Sequence, residues 1–227
     1  FGLRQGRQGL FQDVQFVEHG IQYTPSKKRS QLEKGSFPGY INQTEKICLI
    51  HQKVGVAMCG IAGIINHHAD PAAGEIIAAM NECQIHRGPD GAGTYLDNDV
   101  ALGHRRLSII DLEKGGQPIS NEDGSVIAVF NGEIYNYRKL REELLGRGHK
   151  FRSESDTEVI VHLYEELGGE CVQMLEGMFA FAVYSRKSRR VLLGRDRMGQ
   201  KPLLYFMAGG TLVFASEFPA LKCHPAM

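Results

Sequence analysis

A cysteine directly after a methionine gives this sequence its clearest chemical feature. Met58 is followed by Cys59, and residues 60–65 form a short apolar run that glycines interrupt. If Met58 starts the translated protein and is then removed, Cys59 carries a thiol and a free α-amine on one residue. An ordinary thiol has a pKa near ~8.5 and an α-amine near ~7.7–8.0, so the amine can accept the thiol proton near neutral pH. The pair predicts a nucleophilic cysteine that supplies its own base.

Residues 1–57 precede this pair and differ from the rest of the chain. They carry eight Lys and Arg residues against four acidic ones and show no sustained helical or alternating pattern. Such a segment buries too little apolar surface to offset its chain entropy, so we expect it to be mostly disordered. Its composition favours upstream sequence translated from a wrong start. A removed pro-segment is a second explanation, and a real tail that blocks the Cys59 amine is a third.

The bulk composition narrows the class of protein. The chain has 227 residues, of which 42% are hydrophobic and 23% charged, as in ordinary globular domains. Its 26 basic and 26 acidic residues cancel, so charge does not favour nucleic acid or an acidic membrane as partner. No apolar run approaches the ~20 residues of a membrane span, and the first thirty residues lack the apolar core of a signal peptide. We therefore expect a cytoplasmic protein. Five cysteines without a Cys-x-x-Cys pair favour reduced thiols over disulfides or a zinc site.

The elements that position Cys59 follow from the apolar patterns after residue 58. Residues 60–65 predict one buried strand, and residues 126–130 predict a second that ends at Asn131, Gly132 and Glu133. Three glycines and a proline predict a loop over 86–93, and Asp156 offers N-cap chemistry for the helix behind it. The other predicted elements are helices at 71–83, 137–147, 159–167 and 171–175, and strands at 100–104, 106–111, 179–185, 191–195, 203–207 and 212–215. This order predicts an α+β layered domain.

A series of short blocks in fixed order makes the chain similar to a known family. The blocks are 58–63 (Met-Cys-Gly-Ile-Ala-Gly), 86–91 (His-Arg-Gly-Pro-Asp-Gly), 103–111 (Gly-His-Arg-Arg-Leu-Ser-Ile-Ile-Asp), 130–136 (Phe-Asn-Gly-Glu-Ile-Tyr-Asn), 155–158 (Ser-Asp-Thr-Glu), 177–182 (Gly-Met-Phe-Ala-Phe-Ala), 194–203 and 214–217. Each block is weak by itself, but the ordered set is specific. It resembles the class II glutamine amidotransferase domain of glutamine-hydrolysing asparagine synthetases. The resemblance covers residues 58–227 and none of 1–57.

The resemblance implies both a fold and a reaction. The fold is that of an N-terminal-nucleophile hydrolase, a four-layer αββα sandwich with two facing antiparallel sheets. The reaction converts glutamine and water to glutamate and ammonia. Cys59 would attack the glutamine side-chain amide and form a thioester that water then hydrolyses. The oxyanion donors implied by the family are the Asn131 side chain and the Gly132 backbone N–H, and each such donor is worth about 3–4 kcal/mol in comparable sites.

The resemblance also assigns the residues that hold the ends of glutamine. Arg106 would pair with the α-carboxylate through its planar fork. Glu133 and Asp156 would hold the α-ammonium, and Asp156 can cap its helix as well. His86 and Arg87 would support the loop near the site. The backbone that would line the substrate comprises Leu107, Ser108, Ile109 and Ile110. The family match implies no metal and no cofactor for this part of the protein.

The family implies a partner domain that this chain lacks. Family members carry a C-terminal synthetase domain that binds ATP and Mg²⁺ through a Ser-Gly-Gly-x-Asp-Ser loop and activates aspartate, and no such loop occurs here. We therefore expect a fragment limited to the glutaminase half-reaction, with a homodimer left open. Two alternatives remain. One is another class II amidotransferase, of the exopolysaccharide-cluster or glucosamine-6-phosphate synthase type. The other is a non-catalytic module whose Cys59 is buried behind a real tail.

Overall fold

The computed structural model describes residues 14–18, 21–23, 58–66, 68, 70–107 and 115–227. The strands are β1 (Val14–Glu18), β2 (Ile21–Tyr23), β3 (Gly60–Ile65), β4 (Gly91–Leu96), β5 (Val100–Arg106), β6 (Ile119–Ser120), β7 (Val126–Ile134), β8 (Gly177–Ser185), β9 (Arg190–Arg195), β10 (Leu204–Ala208) and β11 (Thr211–Ala215). The helices are α1 (Ala73–Glu82), α2 (Tyr137–Gly146), α3 (Glu158–Leu167) and α4 (Phe218–Leu221), with a 3-10 helix at Gly168–Met174.

Two sheets form the centre of the domain. The first has the order β2-β1-β9-β8-β7-β6, and the second has the order β10-β11-β3-β5-β4. All described pairings within the sheets are antiparallel except that of β1 with β9, which is parallel. Antiparallel neighbours can be joined by short links, as β8 and β9 are, whereas α2 and α3 lie between β7 and β8.

The alternation of side chains along the strands produces three apolar layers. On β7, Val129 faces the second sheet, where it packs with Ile61, Leu102 and Phe214. Its neighbours Ala128 and Phe130 face the other way, toward the buried residues of α2 and α3. The outer face of the second sheet packs against α1 and α4. The layers therefore run helix, sheet, sheet, helix, which confirms the α+β sandwich predicted for the chain.

Glycines let two aromatic rings lie flat across neighbouring strands. A Cβ atom on Gly63 would come within 2.2 Å of the Phe214 ring, and one on Gly194 would come within 2.3 Å of the Phe181 ring. Gly63 pairs with Phe214 in the second sheet, and Gly194 pairs with Phe181 in the first. Each glycine is thus required because its strand partner occupies the space where a side chain would be.

Several boundaries differ from the sequence-based predictions. The loop predicted over 86–93 is wrong in its second half, because β4 begins at Gly91 and pairs along β5. Its two glycines hid the strand pattern. Strand β7 also extends beyond Phe130 to Ile134 and therefore includes the polar residues that were expected to follow it. Pairing with β8 along its full length explains the extension. Helix α4 was not predicted.

The segment before Met58 contributes two strands that the sequence did not predict. Strand β1 pairs with β9, and β2 extends the sheet by one further strand. The other residues of 1–57 lie outside the described residues, so the expected disorder there stays a prediction. Ser108, Ile109 and Ile110 also lie outside the described residues, as does the end of the strand predicted at 106–111.

Candidate active site

The predicted site residues come from separate elements and meet at one cavity. Cys59 immediately precedes β3 in the second sheet, while Asn131, Gly132 and Glu133 lie near the end of β7 in the first. The cavity has a volume of about 160 Å³. Its lining consists of Met58, Cys59, Arg106, Leu107, Gly115, Gln117, Phe130, Asn131, Gly132, Glu133, Ser155, Asp156, Thr157, Met178 and Lys201. Every predicted site residue that the structure describes is among them.

The Cys59 thiol is held at the edge of this cavity by the backbone of Leu107. The Leu107 N–H donates to Cys59 Sγ at 3.4 Å, and Sγ lies 3.6 Å from the Leu107 carbonyl oxygen. Burial raises the pKa of the Cys59 thiol, although the Leu107 hydrogen bond and the charge of Arg106 act in the opposite direction. The thiol is therefore mostly protonated at neutral pH and needs a base before it can act as a nucleophile.

Arg87 fixes the backbone of the cysteine. Its Nε donates to the Cys59 carbonyl oxygen at 3.1 Å, and its Nη1 contacts Glu217 Oε1 at 2.8 Å. His86 Nε2 lies 2.9 Å from the other oxygen of Glu217. On the next residues of the chain, the Ile61 N–H donates to Ser216 Oγ at 3.0 Å. This geometry agrees with the loop-support role expected for His86 and Arg87.

Asn131 presents an unused donor inside the cavity. Asn131 is 1% exposed, and its amide nitrogen Nδ2 has no hydrogen-bond partner among the described residues. A buried amide without a partner costs free energy, typically about 1–3 kcal/mol. Asn131 has the same parity along β7 as Val129, so its side chain stands between the two sheets, on the side from which Cys59 approaches.

The backbone of β7 directs a second donor along the same edge. The Phe130 N–H donates to Gln117 Oε1 at 2.7 Å, and the Ile134 N–H donates to Asp156 Oδ2 at 2.9 Å. Alternate N–H groups of a strand point to the same side, so the Gly132 N–H points to this edge between Gln117 and Asp156. A Cβ atom on Gly132 would lie 2.1 Å from the Met178 carbonyl oxygen. Packing against β8 therefore requires a glycine at this position.

Four charged side chains line the cavity, two of each sign: Arg106, Lys201, Glu133 and Asp156. Burial raises the pKa of Asp156, and the neighbouring carboxylate of Glu133 adds to this rise. Burial lowers the pKa of Lys201, while Glu133 opposes that shift. A site with equal numbers of cations and anions suits a ligand that carries one charge of each sign, such as a free amino acid.

Asp156 does not cap its helix. The N-cap of α3 is Thr157, which makes no side-chain capping hydrogen bond, while Asp156 Oδ2 accepts the hydrogen bond from Ile134. The capping interpretation of Asp156 is therefore wrong, because its carboxylate bonds to β7 and faces the cavity.

Lys201 and Gln117 are cavity residues that the sequence analysis did not identify. The Lys201 ammonium lies 3.0 Å from the sulfur of Met58, and Lys201 itself is only 6% exposed. Gln117 joins two elements of the site, since its Oε1 accepts from Phe130 and its Nε2 donates to Thr157 Oγ1 at 3.3 Å. A Lys inside a glycine-containing loop and a Gln beside a proline give no signal in the sequence, because their partners lie on distant strands.

Asp196 builds the loop that carries Lys201. One carboxylate oxygen accepts from the backbone of Met198 and Gln200, and the other accepts from Phe179 and Lys201, at 2.9–3.1 Å. Arg195 closes the same loop from outside by donating to the carbonyl oxygens of Gly199 and Lys201. These contacts give the Lys201 side chain a fixed origin beside Met58.

Among the described residues, no helix has the length and apolarity to cross a membrane. The cytoplasmic location expected from the sequence stays a prediction.

Comparison with known proteins identifies relatives over most of the chain. Residues 58–227 match the family model of the glutamine amidotransferase domain. Asparagine synthetase (glutamine-hydrolyzing) 2 from Bacillus subtilis is 46% identical over 172 residues, which cover 74% of this chain and 23% of that protein. A probable asparagine synthetase (glutamine-hydrolyzing) from Dictyostelium discoideum is 43% identical over 169 residues, covering 73% of this chain and 30% of that protein. The chain thus spans less than a third of the length of these relatives.

Solved structures give the same result at the level of the fold. The glutamine phosphoribosylpyrophosphate amidotransferase from B. subtilis, complexed with ADP and GMP, superimposes with a TM-score of 0.61 and 26% identity. The match covers 73% of this chain and 43% of that one. The family resemblance read from the sequence blocks and the N-terminal-nucleophile type of fold are both confirmed.

Proposed function

The chain belongs to the glutamine amidotransferase domain family, and we propose that it is the glutaminase part of an asparagine synthetase with Cys59 as its nucleophile. One observation carries the proposal. The Cys59 thiol and the unpartnered amide nitrogen of Asn131 line the same cavity, among two cationic and two anionic side chains. A nucleophile, an oxyanion donor and a receptor for an amino acid are the parts that glutamine hydrolysis needs.

The proposed reaction follows from these parts. The α-amine of Cys59 takes the thiol proton, and the sulfur attacks the side-chain carbonyl carbon of glutamine. The oxyanion that forms accepts hydrogen bonds from Asn131 Nδ2 and the Gly132 N–H. The amine returns its proton to the departing nitrogen, the C–N bond breaks, and ammonia leaves a thioester on Cys59. Water then attacks the thioester and releases glutamate and the free thiol.

Substrate selection follows from the charges of the cavity. Arg106 would bind the α-carboxylate of glutamine, while Glu133 and Asp156 would bind its α-ammonium. The raised pKa of Asp156 supports this assignment, since burial and the neighbouring Glu133 disfavour its negative charge despite the hydrogen bond from Ile134, and a ligand cation would favour that charge. Leu107 borders the same cavity, and Ser108, Ile109 and Ile110 stay predictions that fall outside the described residues.

Removal of Met58 would prepare the site in two ways. It would create the α-amine that serves as base, and it would clear the cavity, which Met58 helps to line. It would also release the Lys201 ammonium from the Met58 sulfur, which is a weak acceptor. A nearby ammonium lowers the pKa of an amine, so Lys201 would keep the Cys59 amine unprotonated and basic near neutral pH.

We further propose that the released ammonia serves the amidation of aspartate. The curated relatives named as glutamine-hydrolyzing asparagine synthetases are up to 46% identical, whereas the phosphoribosylpyrophosphate amidotransferase is 26% identical. The partner would be a C-terminal synthetase domain that binds ATP and Mg²⁺, since the matched relatives are about three to four times longer than the matched region. A non-catalytic module is the alternative, and it predicts no ammonia release at all.

The nucleophile is tested by replacing Cys59 in a protein that begins at this residue. Cys59→Ala should lower ammonia release from glutamine by more than about 10⁴-fold, because the covalent path is lost. Cys83→Ala is the matched control. Cys83 is a half-buried free thiol that lies next to Cys223 in the apolar layer between α1 and the outer face of the second sheet. This variant should retain full activity. Ammonia release that survives Cys59→Ala in a folded protein would contradict the assignment.

A further inference from the structure

Four side chains outside the active site converge in a pattern that hydrogen bonding does not explain. They are Glu122 in the turn before β7, His149 after α2, and His162 and Glu165 on α3. One ligand atom from each lies within 4.8 Å of the others. The set brings two imidazoles and two carboxylates together from three separate segments of the chain.

The distances in this cluster fit ligands that share one ion. His162 Nδ1 lies 3.6 Å from Glu122 Oε2 and 3.5 Å from Glu165 Oε2, and His149 Nδ1 lies 3.8 Å from Glu165 Oε2. The 3.8 Å contact between His149 Nδ1 and Glu122 is with the other oxygen, Oε1. Charge-assisted N–H···O bonds are shorter, about 2.7–2.9 Å. Two ligands about 2.0–2.2 Å from a tetrahedral Zn²⁺ lie about 3.3–3.6 Å apart. The three distances to the Oε2 atoms match or slightly exceed the metal-ligand spacing and exceed the hydrogen-bond spacing. The four ligand atoms as a set lie within 4.8 Å, so they would draw closer together around a bound ion.

His162 provides an independent reason to place a ligand here. Its side chain is fully buried, at 0% exposure, and neither ring nitrogen has a hydrogen-bond partner among the described residues. A buried imidazole that makes no hydrogen bond is unfavourable in a folded protein, because its polar atoms have left water without replacement. A bound ion on Nδ1 would satisfy the nitrogen that faces Glu122 and Glu165.

The surrounding contacts orient the four ligand atoms. His149 Nε2 lies 3.0 Å from Glu166 Oε1, and His162 Nε2 lies 3.6 Å from Glu158 Oε1, so each ring turns its other nitrogen toward a carboxylate. Asn121 donates to Glu165 Oε1 at 2.8 Å, and the backbone N–H of Lys150 donates to Glu122 Oε1 at 2.7 Å. Each carboxylate thus has a second oxygen left for an ion. Outer carboxylates on metal-bound histidines are the usual arrangement in metal sites.

We propose that Glu122, His149, His162 and Glu165 form a structural site for Zn²⁺ or a similar divalent transition metal. Neutral imidazole and carboxylate are ligands that zinc accepts, and four protein ligands leave no open position for catalysis. Ions can reach the site from solvent, since the Glu122 and Glu165 side chains are 31% and 26% exposed. The ion would connect the turn before β7 and the segment after α2 to helix α3. Helix α3 begins at Glu158, two residues after the cavity residue Asp156. No sequence motif indicates this site, and the family resemblance had implied no metal.

The test is zinc binding by the purified full chain after treatment with a chelator, measured by calorimetry with Zn²⁺ alone. We expect one ion per chain and a higher melting temperature in its presence. His149→Gln and Glu165→Gln, chosen because both residues are partly exposed, should each weaken binding by more than about 100-fold. Glu166→Gln removes an outer partner and should weaken it by about 10–100-fold. His224→Gln and Glu142→Gln are matched controls from outside the cluster and should bind as the wild type does.

Cobalt distinguishes this site from the thiols of the chain. Co²⁺ bound by nitrogen and oxygen atoms should give a tetrahedral spectrum without a thiolate charge-transfer band. A strong thiolate band, equal zinc affinity in His149→Gln and wild type, or no zinc binding by the wild type would each overturn the proposal. These measurements do not depend on ammonia release, so the metal site and the proposed glutaminase activity can fail separately.

Discussion

Two asparagines, one in the turn before strand β7 and one within it, are equally buried and differently bonded. Asn121 and Asn131 are both 1% exposed. Asn121 is satisfied, because its amide donates to Ser125 and Glu165 and its oxygen accepts from the Val126 N–H. The Asn131 amide nitrogen has no partner among the described residues. Burial alone therefore does not distinguish these two asparagines, whereas the hydrogen bonds of their amide nitrogens do.

Two aspartates repeat the comparison. Asp156 and Asp196 are both 5% exposed. The Asp196 carboxylate accepts four backbone hydrogen bonds and holds the Lys201 loop. Asp156 lies in the cavity with a pKa raised by burial and by Glu133. Asn121 and Asp196 are held by several hydrogen bonds within the protein. In the cavity, Asn131 Nδ2 has no partner among the described residues, and Asp156 keeps a raised pKa although it accepts from Ile134. Groups of this kind are typical of functional sites.

The asparagine pair gives the largest predicted difference. In a chain that begins at Cys59, Asn131→Ala should lower kcat for ammonia release by about 10²–10³-fold, since an oxyanion donor is lost. Its free energy of unfolding should change by less than about 1 kcal/mol, because the deleted amide nitrogen made no hydrogen bond. Asn121→Ala should do the opposite, with stability lowered by about 2–3 kcal/mol and kcat nearly unchanged. Steady-state kinetics and urea unfolding of both variants would measure these effects. Similar changes in kcat and stability for the two variants would show that Asn121 and Asn131 do not have different roles.

The aspartate pair separates stability from binding. Asp196→Asn should lower the free energy of unfolding by about 2–4 kcal/mol, because an amide donor would face backbone N–H groups that now share a carboxylate oxygen. Asp156→Asn should raise the KM for glutamine by about 10–100-fold and leave stability at pH 7 unchanged or higher. Glutamine titrations and denaturant unfolding at matched pH would measure both. A large stability loss in Asp156→Asn would show that this carboxylate is structural.

The pH dependence of stability gives a second test of the role of Asp156. The pKa of Asp156 is raised in the folded state, so the folded protein favours its protonated form. The stability that protonated Asp156 contributes is fully present below the pKa of an aspartate in the unfolded chain, near ~3.9. It is lost as the pH rises through the higher pKa of Asp156 in the folded protein. The wild type should therefore lose this stability on going from acid toward neutral pH, and Asp156→Asn should not.

The sequence predicts the individual strands and motif residues of this site better than the contacts that bring distant segments together. Strand β3 was predicted with its observed bounds, because an apolar run between glycines has few other solutions. Cys59, Asn131 and Asp156 lie in short blocks that sequence comparison recognises. Strand β4 was missed because glycines at 91 and 93 interrupt its alternation. Lys201 was missed because its place beside Met58 depends on the Asp196 loop, and that contact spans 143 residues.

Replacing Lys201 has the smallest predicted effect on activity, and it tests whether this residue lowers the pKa of the Cys59 α-amine. Without Met58, its ammonium would lie near the Cys59 amine and lower the amine pKa by like-charge repulsion. Lys201→Gln should therefore raise the amine pKa and move the acidic limb of the kcat/KM profile to higher pH, by up to about one unit. Lys222→Gln, an exposed lysine after α4, should leave the profile in place. An unshifted limb in Lys201→Gln would limit this residue to packing.

We propose that Cys59 acts as a nucleophile only when its own amine is free. The most direct measurement compares ammonia release from glutamine by two proteins, one that begins at Cys59 and one that retains Met58 and the residues before it. Burial keeps the thiol protonated, and the blocked form has no α-amine to accept the proton. We predict that the Cys59-start protein is active and that the longer protein is at least about 10²-fold slower, which is the usual contribution of a general base. Equal rates in the two proteins, with the segment before Cys59 still attached in the longer one, would contradict this account.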